Sequence, residues 1–148
     1  EAMISTYEVE KDIDNLSLET DILWADAVLI GPGLSTSITA KRLLEKTLNI
    51  CRQYNKYLVI DADGLNIMSA DDNLLNMLYE KVVITPHMGE ASRLMKKDIP
   101  ALSNNMVGMA YDFSDKHNVN IILKDSTNVI NINVRIIPTQ SNFTRNRF

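Results

Sequence analysis

The sequence predicts a single α/β domain built around a mostly parallel sheet. Short apolar runs alternate along the chain with segments of helical periodicity, and such alternation is typical of βαβ units. The apolar runs also lack the strict polar–apolar alternation of a half-exposed strand, which favours strands that are buried on both faces. At 148 residues, the chain fits one domain of ordinary size.

Four apolar runs predict the strands of this sheet. Each is short, rich in aliphatic residues, and followed by glycine, proline or a polar residue. The predicted strands are residues 25–31 (ADAVLIG), 57–63 (YLVIDAD), 82–86 (VVITP) and 119–125 (VNIILKD). Near the end of the chain, NVINI followed by VRIIP predicts an additional β-ribbon.

The segments between these runs predict helices. STSITAKRLLEKTLNICRQYNK offers Ser or Thr as an N-cap and repeats its apolar residues at steps of three and four. Those residues are Ala40, Leu43, Leu44, Leu48, Cys51 and Tyr54. Shorter helices are predicted in NLLNMLYEK, GEASRLMKK and NNMVGMAYDFSDKHN. The last of them places Met106, Met109, Ala110, Phe113 and His117 on one face.

Composition excludes several classes of protein. The 45% hydrophobic and 23% charged residues are normal for a packed domain, and a net charge of −4 without a basic stripe gives no support for nucleic-acid binding. No apolar run approaches the roughly 20 residues of a membrane helix. Cys51 is the single cysteine, so no internal disulfide forms and a cytoplasmic location is expected.

Polar motifs follow all four predicted strands. They read GPGLSTS, DADGLN, TPHMGE and KDSTN. The carboxyl ends of parallel strands share one edge of a sheet, and ligands of open α/β sheets bind in the crevice outside that edge. The convergence of four such motifs predicts a ligand site there more strongly than any one of them alone.

The first two motifs each have a functional and a structural interpretation. Gly31 and Gly33 permit a tight turn and a close approach of the backbone to a ligand, and the next helix presents free N–H groups to an anion. Asp61 and Asp63, with Asn66, are predicted on a turn where carboxylates suit a hydroxyl or an indirect metal contact. A plain strand-to-helix turn and an Asp cap are the structural alternatives.

TPHMGE is the most informative motif. Pro86 ends the strand, Gly89 frees the next turn, and Glu90 enters a helix as an early acid. The imidazole of His87 can donate or accept a hydrogen bond. A lone histidine is more often structural than catalytic, but this one lies where ligands are expected. His117 ends a helix and is interpreted as a partner of the helix dipole.

Taken together, the motifs resemble the NAD(P)H-hydrate dehydratases, a branch of the ribokinase-like fold. The pattern of that family is similar to GPGLG, DADALN, TPHPGE and LKG..T, in this order and at comparable spacing. The present chain has GPGLS, DADGLN, TPHMGE and LKDST, and its initial EAM is similar to the PEAM that precedes this region in the family. We expect residues 1–148 to form a single domain. The resemblance covers about residues 1–132 and leaves the tail, residues 139–148, unmatched.

The resemblance implies a three-layer ribokinase-like domain and a repair reaction. ADP or ATP, with Mg²⁺, would activate the hydroxyl of hydrated NADH or NADPH as a phosphate ester, whose elimination restores the coenzyme. The hydrated nucleotide would lie at Gly33, Ser35 and His87. The implied contacts of ADP phosphate or ribose are Lys124, Asp125, Ser126, Thr127 and Asn128. The implied magnesium–phosphate region contains Asp61, Asp63, Asn66 and Glu90.

Three departures from the family pattern limit this expectation. Ser35 and Asp125 replace glycines, and the GSGD loop that carries the family's catalytic aspartate has no counterpart, since the last glycine is Gly108. We therefore expect a domain that is incomplete at both ends and has little activity alone. The alternatives are a small-molecule kinase of the same fold, for a hydroxymethylpyrimidine or a sugar, or a non-catalytic nucleotide-binding remnant. The sequence leaves a homo-oligomer open.

Overall fold

The computed structural model describes residues 16–124 and 129–132, which contain seven helices and five strands. In chain order these are α1 Leu16–Trp24, β1 Ala27–Ile30, α2 Ile38–Gln53, β2 Tyr57–Ile60, α3 Asp63–Ser69, α4 Asp72–Leu75, β3 Val82–Ile84, α5 Met88–Met95, α6 Ile99–Asn104, α7 Met106–His117, β4 Asn120–Lys124 and β5 Val129–Ile132.

The described strands form one sheet in the order β1-β2-β3-β4-β5. The first four are parallel, which confirms the predicted α/β class and puts their carboxyl ends at one edge. β5 is antiparallel to β4, with Lys124 opposite Val129. Residues 129–132 of the predicted ribbon thus form a strand, which pairs with β4, whereas Asn128 and VRIIP lie outside the described residues.

α2 forms where the periodicity predicts it. The hydroxyl of Ser37 accepts a hydrogen bond from the N–H of Ala40, so that serine is the N-cap. The predicted apolar face is buried along most of its length, and Leu44, Leu48 and Cys51 are fully inaccessible. Among the described residues, no helix is both long and apolar enough to cross a membrane.

Three helices form that were not expected from the sequence, and one is shorter than expected. α1 and α6 are short and lie outside the strong periodic segments, and α3 begins inside the predicted DADGLN turn. The predicted helix NLLNMLYEK is reduced to the single turn α4, which is capped by the Asp71 carboxylate. The chain then turns directly into β3, and the hydroxyl of Tyr79 donates to the carbonyl of Lys56.

One face of the parallel strands is covered by helices. Each crossover moves one strand further in the same direction, and right-handed crossovers then place all the connecting helices on one side of the sheet. Burial agrees with this geometry. Val28, on the outer strand β1, is half-buried on this face, and its other strand side chains are at most 9% exposed: Ile30, Leu58, Ile60, Val82, Ile84, Ile121 and Leu123.

The opposite face, here called the open face, is much less covered. Its strand residues alternate with those of the covered face. They include Leu29, which is 63% exposed, Tyr57, which is 56% exposed, and the half-buried Val59, Val83 and Ile122. The expectation of strands buried on both faces therefore holds for only one face within the described residues.

Candidate functional site

The loop after β1 and the turn after β2 are in direct contact. A Cβ added to Gly31 would lie 1.8 Å from the carbonyl oxygen of Asp61, and one added to Gly64 would lie 3.3 Å from the Cα of Gly31. Gly31 also has a φ of +124°, in the region that favours glycine. Glycine is thus required at both positions so that GPGLS and DADGLN can meet.

Gly33 differs from Gly31 because its surroundings are open. Its φ is +70°, but a Cβ built there would meet no atom within 4 Å. The space beside this glycine is consistent with the expectation that the backbone approaches a ligand here.

DADGLN forms a turn that leads straight into α3. The N–H of Gly64 donates to the carbonyl of Asp61 at 3.0 Å, and Ala62 has φ 49° and ψ −120°, a conformation normally taken by glycine. The prediction that all of the motif's polar residues lie on a turn is wrong, since Asp63 and Asn66 belong to α3. The strained Ala62 separates the two aspartates and gives them different partners.

Asp63 ties this turn to the first motif. Its Oδ2 accepts a hydrogen bond of 2.8 Å from the N–H of Ser35. Ser35 itself has a φ of 66°, which explains why glycine suits this position. The carboxylate thereby holds the GPGLS loop in place.

Asp61 connects the second motif, DADGLN, to the fourth motif, KDSTN. The ammonium of Lys124 lies 2.6 Å from Asp61 Oδ1, although the two residues are 63 positions apart in sequence. Their side chains are 40% and 26% exposed. Lys124 follows Ile122 on the open face, so this pair lies at the carboxyl end of that face.

The pKa of Asp61 reflects these contacts. Burial raises it, but hydrogen bonds from Lys124, Thr85 and the backbone of Ala62, with the charge of Lys124, outweigh the burial and leave the pKa below its usual value. Asp61 is therefore ionised at neutral pH and occupies at least one hydrogen-bonding position of the Lys124 ammonium.

His87 and Glu90 form a capping box at the start of α5. His87 Nδ1 accepts from the N–H of Gly89 at 3.0 Å, and Glu90 Oε2 accepts from the N–H of His87 at 2.9 Å. Nε2 of His87 lies 3.3 Å from Glu90 Oε1. Nδ1 is therefore engaged in the cap, whereas Nε2 lies near a carboxylate oxygen, and the exposed part of the ring remains for a ligand to contact.

The third motif is joined to both of its neighbours. The Nε of Arg93, on α5, donates to Asn66 Oδ1 at 3.1 Å, which links α5 to α3. The N–H of Lys124 donates to the carbonyl of Pro86 at 2.9 Å, which links it to β4. The structure thus brings the four motifs together through named contacts, as the parallel sheet predicted.

The residues of the fourth motif are described only in part. Lys124 is at the edge of the sheet, whereas Asp125, Ser126, Thr127 and Asn128 lie outside the described residues. Two contributors were missed at the sequence level, Thr85 and Arg93. Counting alternate residues from Val83 would have placed Thr85 on the face of Asp61 and Lys124.

The acidic residues do not form a metal cage. Within residues 16–124, no three His, Cys, Asp or Glu side chains come together as ligands would. Asp61 binds Lys124, Asp63 holds Ser35, and Glu90, only 5% exposed, caps its own helix. These residues are therefore not arranged to bind a divalent cation without further ligands from a bound molecule.

The sequence of this chain is similar to those of known proteins. The family model described as NAD(P)H-hydrate dehydratase matches residues 1–146. The bifunctional NAD(P)H-hydrate repair enzyme of Dictyoglomus turgidum is 32% identical over 75% of this chain and 21% of its own length. The ADP-dependent (S)-NAD(P)H-hydrate dehydratase of Enterococcus faecalis is 34% identical over 71% of this chain and 34% of its own.

The fold is shared with a solved structure. A ribokinase-like superfamily protein of Enterococcus faecalis superposes with a TM-score of 0.60 and 31% identity, over 72% of this chain and 36% of that one. The described residues thus have the ribokinase-like α/β fold that the resemblance implied. The chain spans about a fifth to a third of the length of these relatives. By the match to the family model and the shared motifs, the chain belongs to the NAD(P)H-hydrate dehydratase family.

Proposed function

We propose that this chain contributes to the ADP- or ATP-dependent dehydration of hydrated NADH or NADPH. The observation that carries the proposal is the set of contacts that joins GPGLS, DADGLN, TPHMGE and Lys124 at one edge of the sheet. Each of these motifs was expected from the family resemblance, and the edge they share is where open α/β sheets bind ligands.

Lys124 is proposed to bind the phosphates of the nucleotide. Its ammonium projects at the end of β4, and 40% of its side chain is exposed. It carries three N–H donors, so an incoming phosphate can share it with Asp61 or displace that carboxylate. Asp125, the next residue in the sequence, would add negative charge beside the phosphates, which makes the positive charge of Lys124 more important.

Mg²⁺ enters the proposal only with the nucleotide. Magnesium commonly keeps several waters and is bound through one or two carboxylates together with phosphate oxygens. Asp61, Asp63, Asn66 and Glu90 are proposed to border that region rather than to enclose the ion. In phosphoryl transfer, positioning and neutralisation of charge supply most of the rate.

Gly33, Ser35 and His87 are proposed to contact the hydrated nicotinamide nucleotide. The open space beside Gly33 and the exposed ring of His87 support this assignment. The hydroxyl of the hydrated ring would take the phosphoryl group, and loss of phosphate would restore the ring double bond. A cytoplasmic location is part of the same proposal.

Thermal denaturation with different ligands tests the function. We expect ADP or ATP with Mg²⁺ to raise Tm, and hydrated NADH to raise it further, because ligands that bind only the folded state stabilise it. Recovery of the dihydronicotinamide absorbance from hydrated NADH, read in parallel, measures turnover. Stabilisation by ATP with hydroxymethylpyrimidine, but not by hydrated NADH, would identify a kinase instead. Stabilisation by neither would leave a non-catalytic remnant.

A further inference from the structure

A groove lies at the opposite end of the sheet from the candidate site. It has a volume of about 460 Å³ and is bordered by α4, α5 and α7. α5 and α7 reach it with their carboxyl ends, and His117, the last residue of α7, comes just before β4. The groove therefore opens at the amino ends of the strands and takes no part in the site described above.

The floor of the groove is apolar and partly aromatic. Leu75, Leu94 and Phe113 are at most 7% exposed, and the half-buried Met109 lies beside them. The rings of Phe113 and His117 lie 4.5 Å apart, centroid to centroid. A floor of this kind suits a flat apolar group, and the flexible methionine allows it to adapt to the shape of a ligand.

The rim of the groove is positively charged. Lys96 bonds both carboxylate oxygens of Asp72, at 2.7 and 2.8 Å, so these two charges compensate each other. The other charged side chains of the rim are two lysines, Lys97 and Lys116, and one acid, Asp112. Within the described part of the chain, neither lysine forms an ion pair.

This charge stands out because the chain as a whole is acidic, with a net charge of −4. His117 adds no positive charge at neutral pH, since burial, and then the nearby charge of Lys116, lower its pKa. Lys97 and Lys116 therefore supply the positive charge that a ligand would meet at the rim.

We propose that the groove is a second binding site, for a small anion that carries a planar apolar body, such as an aromatic carboxylate. The body packs on Leu75, Leu94 and Phe113, and the carboxylate lies at Lys97 and Lys116. The volume is within the usual range for sites that hold small molecules. An adenine nucleotide is the competing ligand, because it also joins an anion to a planar body, and a titration with ADP distinguishes the two.

Methionine methyl NMR tests the proposal. Indole-3-acetate is titrated into protein labelled at the methionine methyl groups, with neutral indole-3-acetamide as the matched probe. We expect the signals of Met95 and Met109, which line the groove, to shift with a Kd of about 1 mM or tighter, while the amide binds about tenfold more weakly. The signal of Met68, fully buried elsewhere in the core, should not move.

Charge variants complete the test. Lys97→Glu with Lys116→Glu should weaken binding of the acid by about tenfold or more, since the exposed rim can change without disturbing the core. Arg42→Glu with Arg52→Glu makes the same change in charge on exposed positions of α2 and should leave binding intact. The proposal is overturned if Met95 and Met109 do not shift, if acid and amide bind equally, or if both double variants bind alike. It is also overturned if ADP shifts these methyl groups more strongly than the acid.

Discussion

Replacement of Gly31 by alanine is expected to abolish or severely reduce folding. The new Cβ would lie 1.8 Å from the carbonyl oxygen of Asp61, and this oxygen belongs to the backbone and cannot rotate away. The φ of +124° is also unfavourable for any residue with a side chain. Together these effects should cost about 3–5 kcal/mol, a large part of the stability of an ordinary domain. Urea denaturation followed by circular dichroism measures the loss.

Gly33→Ala is the matched control. It is also a glycine with positive φ in the same loop, but a Cβ there meets nothing within 4 Å. Its cost should be only about 1 kcal/mol, from the backbone conformation alone. If the two variants were equally stable, contact between the first two motifs would not be what requires Gly31.

Lys124→Met is expected to remove most of the affinity for ADP. Methionine retains much of the length and apolar character of the lysine stem but has no ammonium for a phosphate. We expect Kd to rise about tenfold or more, measured by isothermal titration calorimetry with Mg²⁺ at fixed ionic strength. Lys81→Met serves as the control, because Lys81 comes before β3, at the amino end of the strands, and donates to the carbonyl of Asn55.

Asp61→Asn separates a binding role of Lys124 from a structural one. This variant removes the charge that pairs with Lys124 but leaves the ammonium in place. If Lys124 binds phosphate, Asp61→Asn should bind ADP at least as tightly as the unchanged protein when both are measured without Mg²⁺. Equal losses in Lys124→Met and Asp61→Asn would show instead that the ion pair acts only by holding β2 to β4.

The sequence predicted the arrangement of the fold well because its signals were local. The apolar period of α2 and the short runs of β1 to β4 required no knowledge of distant contacts. α3 was missed because DADGLN has the composition of a turn, and only contact with Gly31 shows how the turn leads into a helix. The length of α4 was overestimated because the apolar residues after Leu75 lie in turns and not on one face of a helix.

The site could be predicted as a set of motifs but not as a set of contacts. Parallel strands were enough to expect the four motifs at one edge. The pairing of Asp61 with Lys124 depends on two strands separated by β3, and the engagement of His87 Nδ1 depends on the start of α5. The open face was unexpected because a single apolar run does not reveal on which side its connecting helices lie.

Backbone amide NMR during a titration with ADP and Mg²⁺ tests the central claim most directly. The account predicts saturable shifts at the four motifs, at Gly33, Ser35, Asp63, Gly89 and Lys124, without shifts of the Met95 and Met109 methyl groups in the groove. Lys124→Met should largely remove these shifts. An absence of saturable shifts at the four motifs, or shifts confined to the groove, would contradict the proposal that the nucleotide binds at the carboxyl ends of the strands.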